Sequence, residues 1–288
     1  MAVILPGSGP TDRDGNSALG VAASTYRLLA EGLADQGVAT LRIDKRGVAA
    51  SAAAGPAEAD LRFDAYAADA RAWAAEAASR AGKPCAWLIG HSEGALVALK
   101  AVQGGDDKIC GLILLSGAGR PAGAVLREQL ASLPEPTKTQ AFAALTELEA
   151  GRTVADAPPA LAALLRPSVQ PYLISWLPLD PAALIAAYDG PVFIGQGTTD
   201  LQVSVTDAPG PGRRRPQGDP ETLGRRQPRP ENRPRRPRRQ HGHLRRPRPA
   251  ARAGRGGGRG GVHPGEWEAL SSVAVVSGSP GRLSTPVI

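Results

Sequence analysis

A serine set between two glycines at residues 90–94 constrains the fold of this chain more than any other feature. The segment Gly-His-Ser-Glu-Gly follows an apolar run over residues 86–90 and precedes a pattern of helical period over residues 93–102. Strand, tight turn and helix in this order place the serine on a strained turn, where side chains at the glycine positions would collide with neighbouring backbone. The pattern therefore predicts a nucleophile elbow with Ser92 at its tip, rather than a plain turn with a capping serine.

Apolar strands alternate with helical patterns as far as residue 195. The predicted strands are residues 2–5, 38–43, 86–90, 109–115 and 191–195, and the predicted helices are 24–36, 61–81 and 93–102. Ser24 is placed to cap the first helix and Gly37 to end it. Such strands form a mostly parallel sheet with helices on both faces. Residues 122–187 are helical in pattern and broken by prolines, which predicts a helical cap inserted over the end of the sheet.

The charge of the chain changes sign near residue 208. Residues 1–208 carry 16 Lys and Arg against 22 Asp and Glu, and residues 209–288 carry 18 against 5, so a net −6 is followed by a net +13. The second part has no apolar period and cannot bury enough surface to offset the entropy of ordering it. We therefore predict an α/β core over residues 1–208 and a disordered, basic, Arg/Pro/Gly-rich tail over residues 209–288.

The cysteines and the N-terminus bear on the compartment. Cys85 and Cys110 each open a predicted strand and are too few for a disulfide framework, so they are interpreted as buried free thiols. The first nine residues, MAVILPGSG, have neither a basic region nor an apolar run long enough for a signal peptide or a membrane span. A cytoplasmic protein is the default expectation. Because the chain starts inside a strand, upstream strands or a leader are expected to be missing from it.

A serine nucleophile requires an oxyanion hole, an acid and a histidine, in known positions along the chain. The glycine-rich turn after the first strand predicts one backbone donor at Ser8, and the residue after the serine predicts the other at Glu93. Asp200 follows the last strand in VFIGQGTTDLQV and is preferred as the acid over Asp207. His91 adjoins the serine but is expected to point back into the structure, which makes it a poor base.

Four blocks of the sequence, LPGSGPTDRDGN, LRIDKRG, GHSEGA and QGTTDLQV, resemble the α/β-hydrolase superfamily. They are most similar to bacterial serine aminopeptidase-like and dienelactone hydrolase-like serine hydrolases, and the resemblance covers residues 2 to about 208. It implies Ser92 as nucleophile, Asp200 as acid and oxyanion donors near Ser8 and Glu93. It also implies a histidine in an Asn-His-Val-Leu-Lys-like block shortly after the acid, and the sequence contains no such block.

The composition of the tail suggests where the histidine block is encoded. The tail holds 18 of the 29 arginines, none of the five lysines and 13 of the 27 prolines. This composition is what GC-rich codons yield when they are read in the wrong phase. The segment 227–232, QPRPEN, can be encoded by CAA CCA CGT CCT GAA AAC. Read one base further on, these codons give Asn-His-Val-Leu-Lys, with the histidine at the position of Pro228, 28 residues beyond Asp200. We therefore predict a frameshift near Ala208.

Other interpretations of the tail remain open. A genuine Arg/Gly-rich segment would bind nucleic acid, but it has only Trp267 to stack on bases. His241 or His243 respects the order serine, acid, histidine, although neither lies in a structured context. Metal binding by these two histidines is weaker still, because no carboxylate or thiol cluster accompanies them. The fold could also persist as a scaffold without the chemistry.

The expected function is that of a serine hydrolase acting on an ester or amide of a small to medium substrate, without cofactor or metal and without a membrane partner. Nucleic acid is the less favoured partner, and the sequence does not give the oligomeric state. In the cap, Tyr172, Trp176 and Leu177 either line an acyl pocket or pack into the core. Because a member of the triad is absent, the chain in this reading frame is expected to be nearly inactive.

Overall fold

The fold is built on a sheet of five parallel strands, seen in a computed structural model that describes residues 1–18 and 20–197. The strands, in chain order, are β1 Ala2–Leu5, β4 Thr40–Arg42, β5 Ala86–His91, β6 Ile109–Leu115 and β7 Val192–Gly195. Their order across the sheet is β4-β1-β5-β6-β7. Two further strands, β2 Asn16–Ser17 and β3 Val21–Ala22, form a separate short antiparallel pair. This pair was not predicted from the sequence.

Helices cover both faces of this sheet, as predicted. Helix α1 is Thr25–Asp35, α2 is Phe63–Ala81 and α3 is Glu93–Ala101. Alternate residues of β1 lie in two separate cores: Ala2 and Ile4 pack with α1, whereas Val3 and Leu5 pack with α2 and α3. The period of two along a strand thus divides an all-apolar segment between two layers of helices, which explains why this strand has no polar face.

The segment between β6 and β7 contains helices joined by turns and has no strand among its residues, all of which are described. Its α-helices are α4 Ala122–Leu130, α5 Thr137–Glu149, α6 Ala162–Leu165, α7 Gln170–Trp176 and α8 Pro181–Ala186. Prolines lie in the first turn of α7 and of α8, where their missing N–H costs no hydrogen bond within the helix. The helical pattern predicted for residues 122–187 is therefore present as five short helices rather than as long ones.

Ser24 does not cap α1 with its side chain, contrary to the sequence prediction. The residue occupies the position before the helix in a left-handed conformation, and its side chain makes no capping hydrogen bond. Its backbone N–H instead donates to the Asn16 side-chain oxygen at 2.9 Å. Asn16 belongs to the hairpin of β2 and β3. The residues next to Ser24 in the chain could therefore not reveal that Ser24 bonds to this asparagine instead of capping the helix.

The prediction of two free thiols is wrong, because Cys85 and Cys110 form a disulfide with a Cα–Cα distance of 5.2 Å. Cys85 directly precedes β5, and Cys110 is the second residue of β6. The two strands are neighbours, with Ala86 paired to Ile109, and a register shift after that pair brings the cysteines side by side. Sequence reasoning gave both strands but not their adjacency, which is what decides whether two cysteines can bond.

Replacing both cysteines in a Cys85→Ala, Cys110→Ala variant is expected to lower the free energy of unfolding by about 3 kcal/mol, because the disulfide closes a loop of 25 residues in the unfolded chain. Urea unfolding of the parent and the variant measures the difference. Adding a reductant should reduce the parent to the stability of the variant and leave the variant unchanged. Equal stability of the oxidised parent and the variant would contradict the prediction.

No helix in the part of the chain that the structure describes has the length and apolarity that crossing a membrane requires.

Candidate active site

The order of the strands places two loops side by side at one edge of the sheet. The chain leaves β1 towards β4 on one side and returns through α2 to β5 on the other, so the direction of winding reverses between β1 and β5. Leu5, the last residue of β1, pairs with Gly90 of β5. The loop that contains Ser8 and the turn that contains Ser92 therefore begin at the same level, at the type of position where parallel sheets bind ligands.

Ser92 stands between β5 and α3 with φ 53° and ψ −119°, a conformation that few residues other than glycine adopt. Its N–H donates to the Leu115 carbonyl oxygen at 2.9 Å, and its own carbonyl oxygen accepts the Ala95 N–H at 3.0 Å. These two hydrogen bonds fix the strained residue between the neighbouring strand and the following helix. The conformation is the one that an exposed serine at a strand-to-helix turn requires.

Both glycines of the motif lie where a side chain has no room. A β-carbon at Gly90 would lie 2.2 Å from the Gly94 carbonyl oxygen, and one at Gly94 would lie 2.4 Å from the Leu5 carbonyl oxygen. The obstructing atoms belong to backbone, which cannot move aside as a flexible side chain can. Close contact between β1, β5 and α3 therefore depends on glycine at both positions.

A cavity of about 390 Å³ opens beside Ser92. Ser8, Gly9 and Pro10 form one side of it, and Ser92 and Glu93 form its base. The remaining wall comes from α3, α4, α6, α7 and α8 and is mainly apolar, with Arg120, Gln129 and Arg166 as its polar members. The three described residues that the sequence assigned to the site thus border one space, whose size is in the range that binds small organic molecules.

The two alternatives for the cap residues overlap. Tyr172 and Trp176 line the cavity and also pack in or against the hydrophobic core, whereas Leu177, which is 2% exposed, belongs to the core and is not among the lining residues. The Tyr172 hydroxyl is buried near Glu93. Burial raises the pKa of this hydroxyl, and the negative charge of Glu93 raises it further. Tyr172 therefore presents a neutral phenol to the cavity at any physiological pH.

Ser8 and Glu93 both border the cavity, and neither backbone N–H has an intramolecular acceptor among the described residues. Glu93 is the first residue of α3, and the N–H groups of a first helical turn have no partner within the helix. Ser8 lies in an irregular loop between Gly7 and Gly9. These are the two donors that the sequence assigned to an oxyanion hole.

A buried ion pair lies directly behind these donors, and sequence reasoning missed it. The Lys45 ammonium donates to the Gly7 carbonyl oxygen at 2.7 Å and to Glu93 Oε1 at 3.1 Å. The side chains of Lys45 and Glu93 are only 6% and 5% exposed. The ammonium also lies 5.2 Å from the centre of the Tyr66 ring. A lysine directly after a strand usually marks a solvated loop, so only the structure identifies it as an interior group.

His91 forms a hydrogen bond with Tyr26, a residue of α1: its Nδ1 is 2.9 Å from the Tyr26 hydroxyl oxygen. That oxygen also accepts the Gly7 N–H at 2.9 Å, so the hydroxyl proton is available for His91 Nδ1. Burial raises the pKa of Tyr26 to about 12, which keeps the hydroxyl protonated. The histidine next to the serine is thus engaged in supporting the loop after β1, in agreement with the expectation that it is a poor base.

Asp44 connects the loop after β1 to the loop after β4. Its side chain is 1% exposed and accepts hydrogen bonds from the Arg13 N–H at 2.6 Å and from Arg13 Nε at 2.8 Å. Burial alone would raise the pKa of Asp44, but the hydrogen bonds from Arg13 outweigh it and hold the pKa below its usual value. The carboxylate is therefore charged at neutral pH and acts as a fixed anchor for the segment that follows Ser8.

The remaining site residues predicted from sequence lie outside the described residues. They are Asp200, its alternative Asp207, the tail histidines His241 and His243, and Pro228, where the shifted frame places a histidine. In the part of the chain that is described, no three His, Cys, Asp or Glu side chains are grouped so that they could hold a metal ion.

Comparison with known proteins identifies a family over half of the chain. The family model for serine aminopeptidase, S33, matches residues 19–168. No protein of curated function matches the sequence significantly.

Solved structures resemble the chain at low sequence identity. Est1E from Butyrivibrio proteoclasticus, solved with ferulic acid bound, is 21% identical, with a TM-score of 0.47 over 71% of this chain and 71% of that chain. A hydrolase from Pseudomonas aeruginosa is 18% identical, with a TM-score of 0.44 over 72% and 75% of the two chains. An esterase from Exiguobacterium antarcticum is 17% identical, with a TM-score of 0.43 over 72% and 76%.

Proposed function

The chain belongs to the serine aminopeptidase S33 family of α/β-hydrolases, and on that premise we propose that it is the body of a serine hydrolase that cleaves an ester or amide of a small to medium substrate. One observation carries the proposal. Ser92, in its strained conformation, borders the same cavity as Ser8 and Glu93, whose backbone N–H groups have no acceptor among the described residues. A nucleophile and a pair of donors around one space are the parts that acyl transfer requires.

The proposed reaction begins when Ser92 Oγ attacks the carbonyl carbon of the substrate while a histidine takes its proton. The negative charge that develops on the carbonyl oxygen is stabilised by the N–H groups of Ser8 and Glu93. The histidine then gives the proton to the leaving alcohol or amine, and an acyl group stays on Ser92. Water, deprotonated by the same histidine, cleaves the acyl-serine bond. In this scheme Asp200 holds the histidine in the tautomer that accepts the serine proton.

The apolar wall of the cavity suits the acyl part of the substrate. Leu96, Leu126, Leu164 and Leu173 contribute to this wall, and Tyr172 and Trp176 lie beside them. Burying a hydrocarbon or aromatic acyl group there removes apolar surface from water, at about 25 cal/mol per Å². The binding energy gained in this way would hold the carbonyl group against Ser92.

We further propose that the histidine is encoded in the same DNA, one base out of phase with the frame of residues 209–288. The support is compositional and positional: the lysine-free, arginine- and proline-rich tail, and an Asn-His-Val-Leu-Lys block recoverable from residues 227–232. The chain in the present frame would then have a nucleophile, an oxyanion hole and an acid but no base.

Covalent labelling tests the identity of the nucleophile. An alkyl fluorophosphonate reacts with an activated serine by forming an O–P bond and releasing fluoride, and the adduct is located by peptide mass spectrometry. The chain with its frame corrected is expected to carry the label on Ser92 alone, and the corresponding Ser92→Ala variant is expected to carry none. Labelling that is equal in the two proteins, or that falls on another residue, would refute the assignment.

A further inference from the structure

We infer that Lys45 is a positioning residue of the oxyanion hole, which it serves by fixing the peptide group that carries the Ser8 N–H. This inference rests on the proposed hydrolase function, since it assigns a role within the same site. Among the described residues, the hydrogen-bond partners of Lys45 are Gly7 and Glu93 rather than Ser92, and Lys45 is not among the residues that line the cavity that would hold the substrate. Its effect on the reaction passes through the backbone of Gly7.

The geometry of one peptide group carries the argument. The Gly7 carbonyl and the Ser8 N–H belong to the same peptide, which is trans, so they point in opposite directions. Lys45 Nζ donates to the carbonyl oxygen at 2.7 Å, and Lys45 is not among the residues that line the cavity, whereas Ser8 is. In the proposed arrangement the Ser8 N–H, on the opposite side of the peptide from that carbonyl, faces the cavity. If that carbonyl were released, the peptide could rotate and the donor could turn away.

The loop needs such a restraint because of its composition. Ser8 stands between two glycines, the residues with the greatest backbone freedom, so the sequence alone does not hold this peptide in one orientation. The preceding peptide is restrained separately, because the Gly7 N–H donates to the Tyr26 hydroxyl at 2.9 Å. Lys45 and Tyr26 thus fix the two peptide groups on either side of the Gly7 α-carbon.

Glu93 explains how a lysine is tolerated in this position. An ammonium that is 6% exposed is costly without a charged partner, and Glu93 provides one at 3.1 Å. The backbone N–H of the same glutamate is the second oxyanion donor. The ion pair therefore connects the loop after β1 to the start of α3, the two segments that each contribute one donor.

The contact also acts on the strength of the donor. A hydrogen bond from a cation to the carbonyl oxygen polarises the peptide group and makes its N–H a better donor, and the low dielectric of the interior increases this effect. Lys45 would thus raise the affinity of the site for negative charge on the substrate oxygen. It would have little effect on binding of the neutral acyl chain.

The inference is tested by comparing a carboxylate with an alcohol of the same length, and the chain in its present frame suffices because the donors lie outside the tail. Hexanoate places a charged oxygen in the oxyanion hole, whereas 1-hexanol only fills the cavity. In a Lys45→Met, Glu93→Gln variant the pair is replaced without a change in net charge, and the Glu93 N–H is kept. We expect the dissociation constant for hexanoate, measured by NMR titration, to rise by about tenfold and that for 1-hexanol to change less than about twofold.

An Arg46→Met, Asp69→Asn variant is the matched control. This ion pair joins the loop after β4, which also contains Lys45, to α2, and its hydrogen bonds run between Arg46 and Asp69 rather than to Gly7. Its removal should leave the preference for hexanoate over 1-hexanol unchanged. If the Lys45 variant loses both ligands equally, or loses neither, the positioning role is refuted while the proposed cavity stands. If the parent chain binds neither ligand, the acyl site itself is refuted, and this role of Lys45 with it.

In the frame-corrected chain the same variant should separate kcat from KM. An oxyanion donor acts on the transition state, so kcat is expected to fall by about tenfold to a hundredfold while KM stays within about twofold. An increase in KM with unchanged kcat would indicate that the ion pair only shapes the cavity, and would overturn the inference.

Discussion

Removing one base between the codons for Ala208 and Gln227 is expected to raise the hydrolysis of a p-nitrophenyl ester by about 10⁴-fold or more. The change shifts the downstream reading by one base and, under the proposed codons, converts the segment over residues 227–232 into Asn-His-Val-Leu-Lys. It would give Ser92 the base that the present chain lacks, and the loss of one triad member typically costs this much in rate. The measurement is kcat/KM of the two purified proteins on the same ester.

Two controls make the comparison specific. Ser92→Ala in the frame-corrected chain should return the rate to that of the present chain, because the members of a triad act as a unit and their losses are not additive. Replacing the restored histidine by glutamine, in an otherwise corrected frame, should do the same and would separate the effect of the base from that of a properly formed C-terminus. If the corrected chain is no more active than the present one, the frameshift hypothesis is wrong.

Local patterns predicted the elements of the fold well because the central strands β1, β5 and β6 are largely buried and glycine or proline lies within a few residues of the end of each helix. β6 has the predicted bounds, Ile109–Leu115, and β5 differs from its prediction by one residue, His91. The parallel sheet with helices on both faces followed from the apolar strands alone. The sequence carries no comparable signal for β2 and β3, which are only two residues long and are held by pairing with each other.

Local patterns could not show which strands and loops are neighbours in space. The disulfide requires β5 and β6 to be neighbours in a particular register, and the Lys45 contacts require the loop after β4 to pass behind the loop after β1. Both relations join residues that are far apart in the chain. The strained turn at Ser92 was predictable for the opposite reason, since strand, glycine, serine, glycine and helix follow closely in the chain and their geometry is local.

Gly94→Ala is expected to destabilise the protein by at least about 3 kcal/mol, the upper range for inserting a methyl group into a packed region. The added β-carbon would lie 2.4 Å from the Leu5 carbonyl oxygen and 2.7 Å from that of Pro6. The first oxygen belongs to the end of β1 and the second to the start of the loop that follows it. Relief of the clash would require α3 to move away from the sheet, and the Ser92 turn would move with it. Urea unfolding gives the change in free energy.

Gly82→Ala is the control that separates a steric clash from backbone strain. Gly82 follows α2 with φ +60°, and a β-carbon there would meet no atom within 4 Å. Its replacement should therefore cost only the left-handed conformation, about 1 kcal/mol. Equal costs at the two positions would mean that α3 can shift freely against β1. Because neither glycine of the motif has a positive φ, conformation would not select glycine at Gly94 either, and the close packing of α3 against the loop after β1 would not be the reason for it.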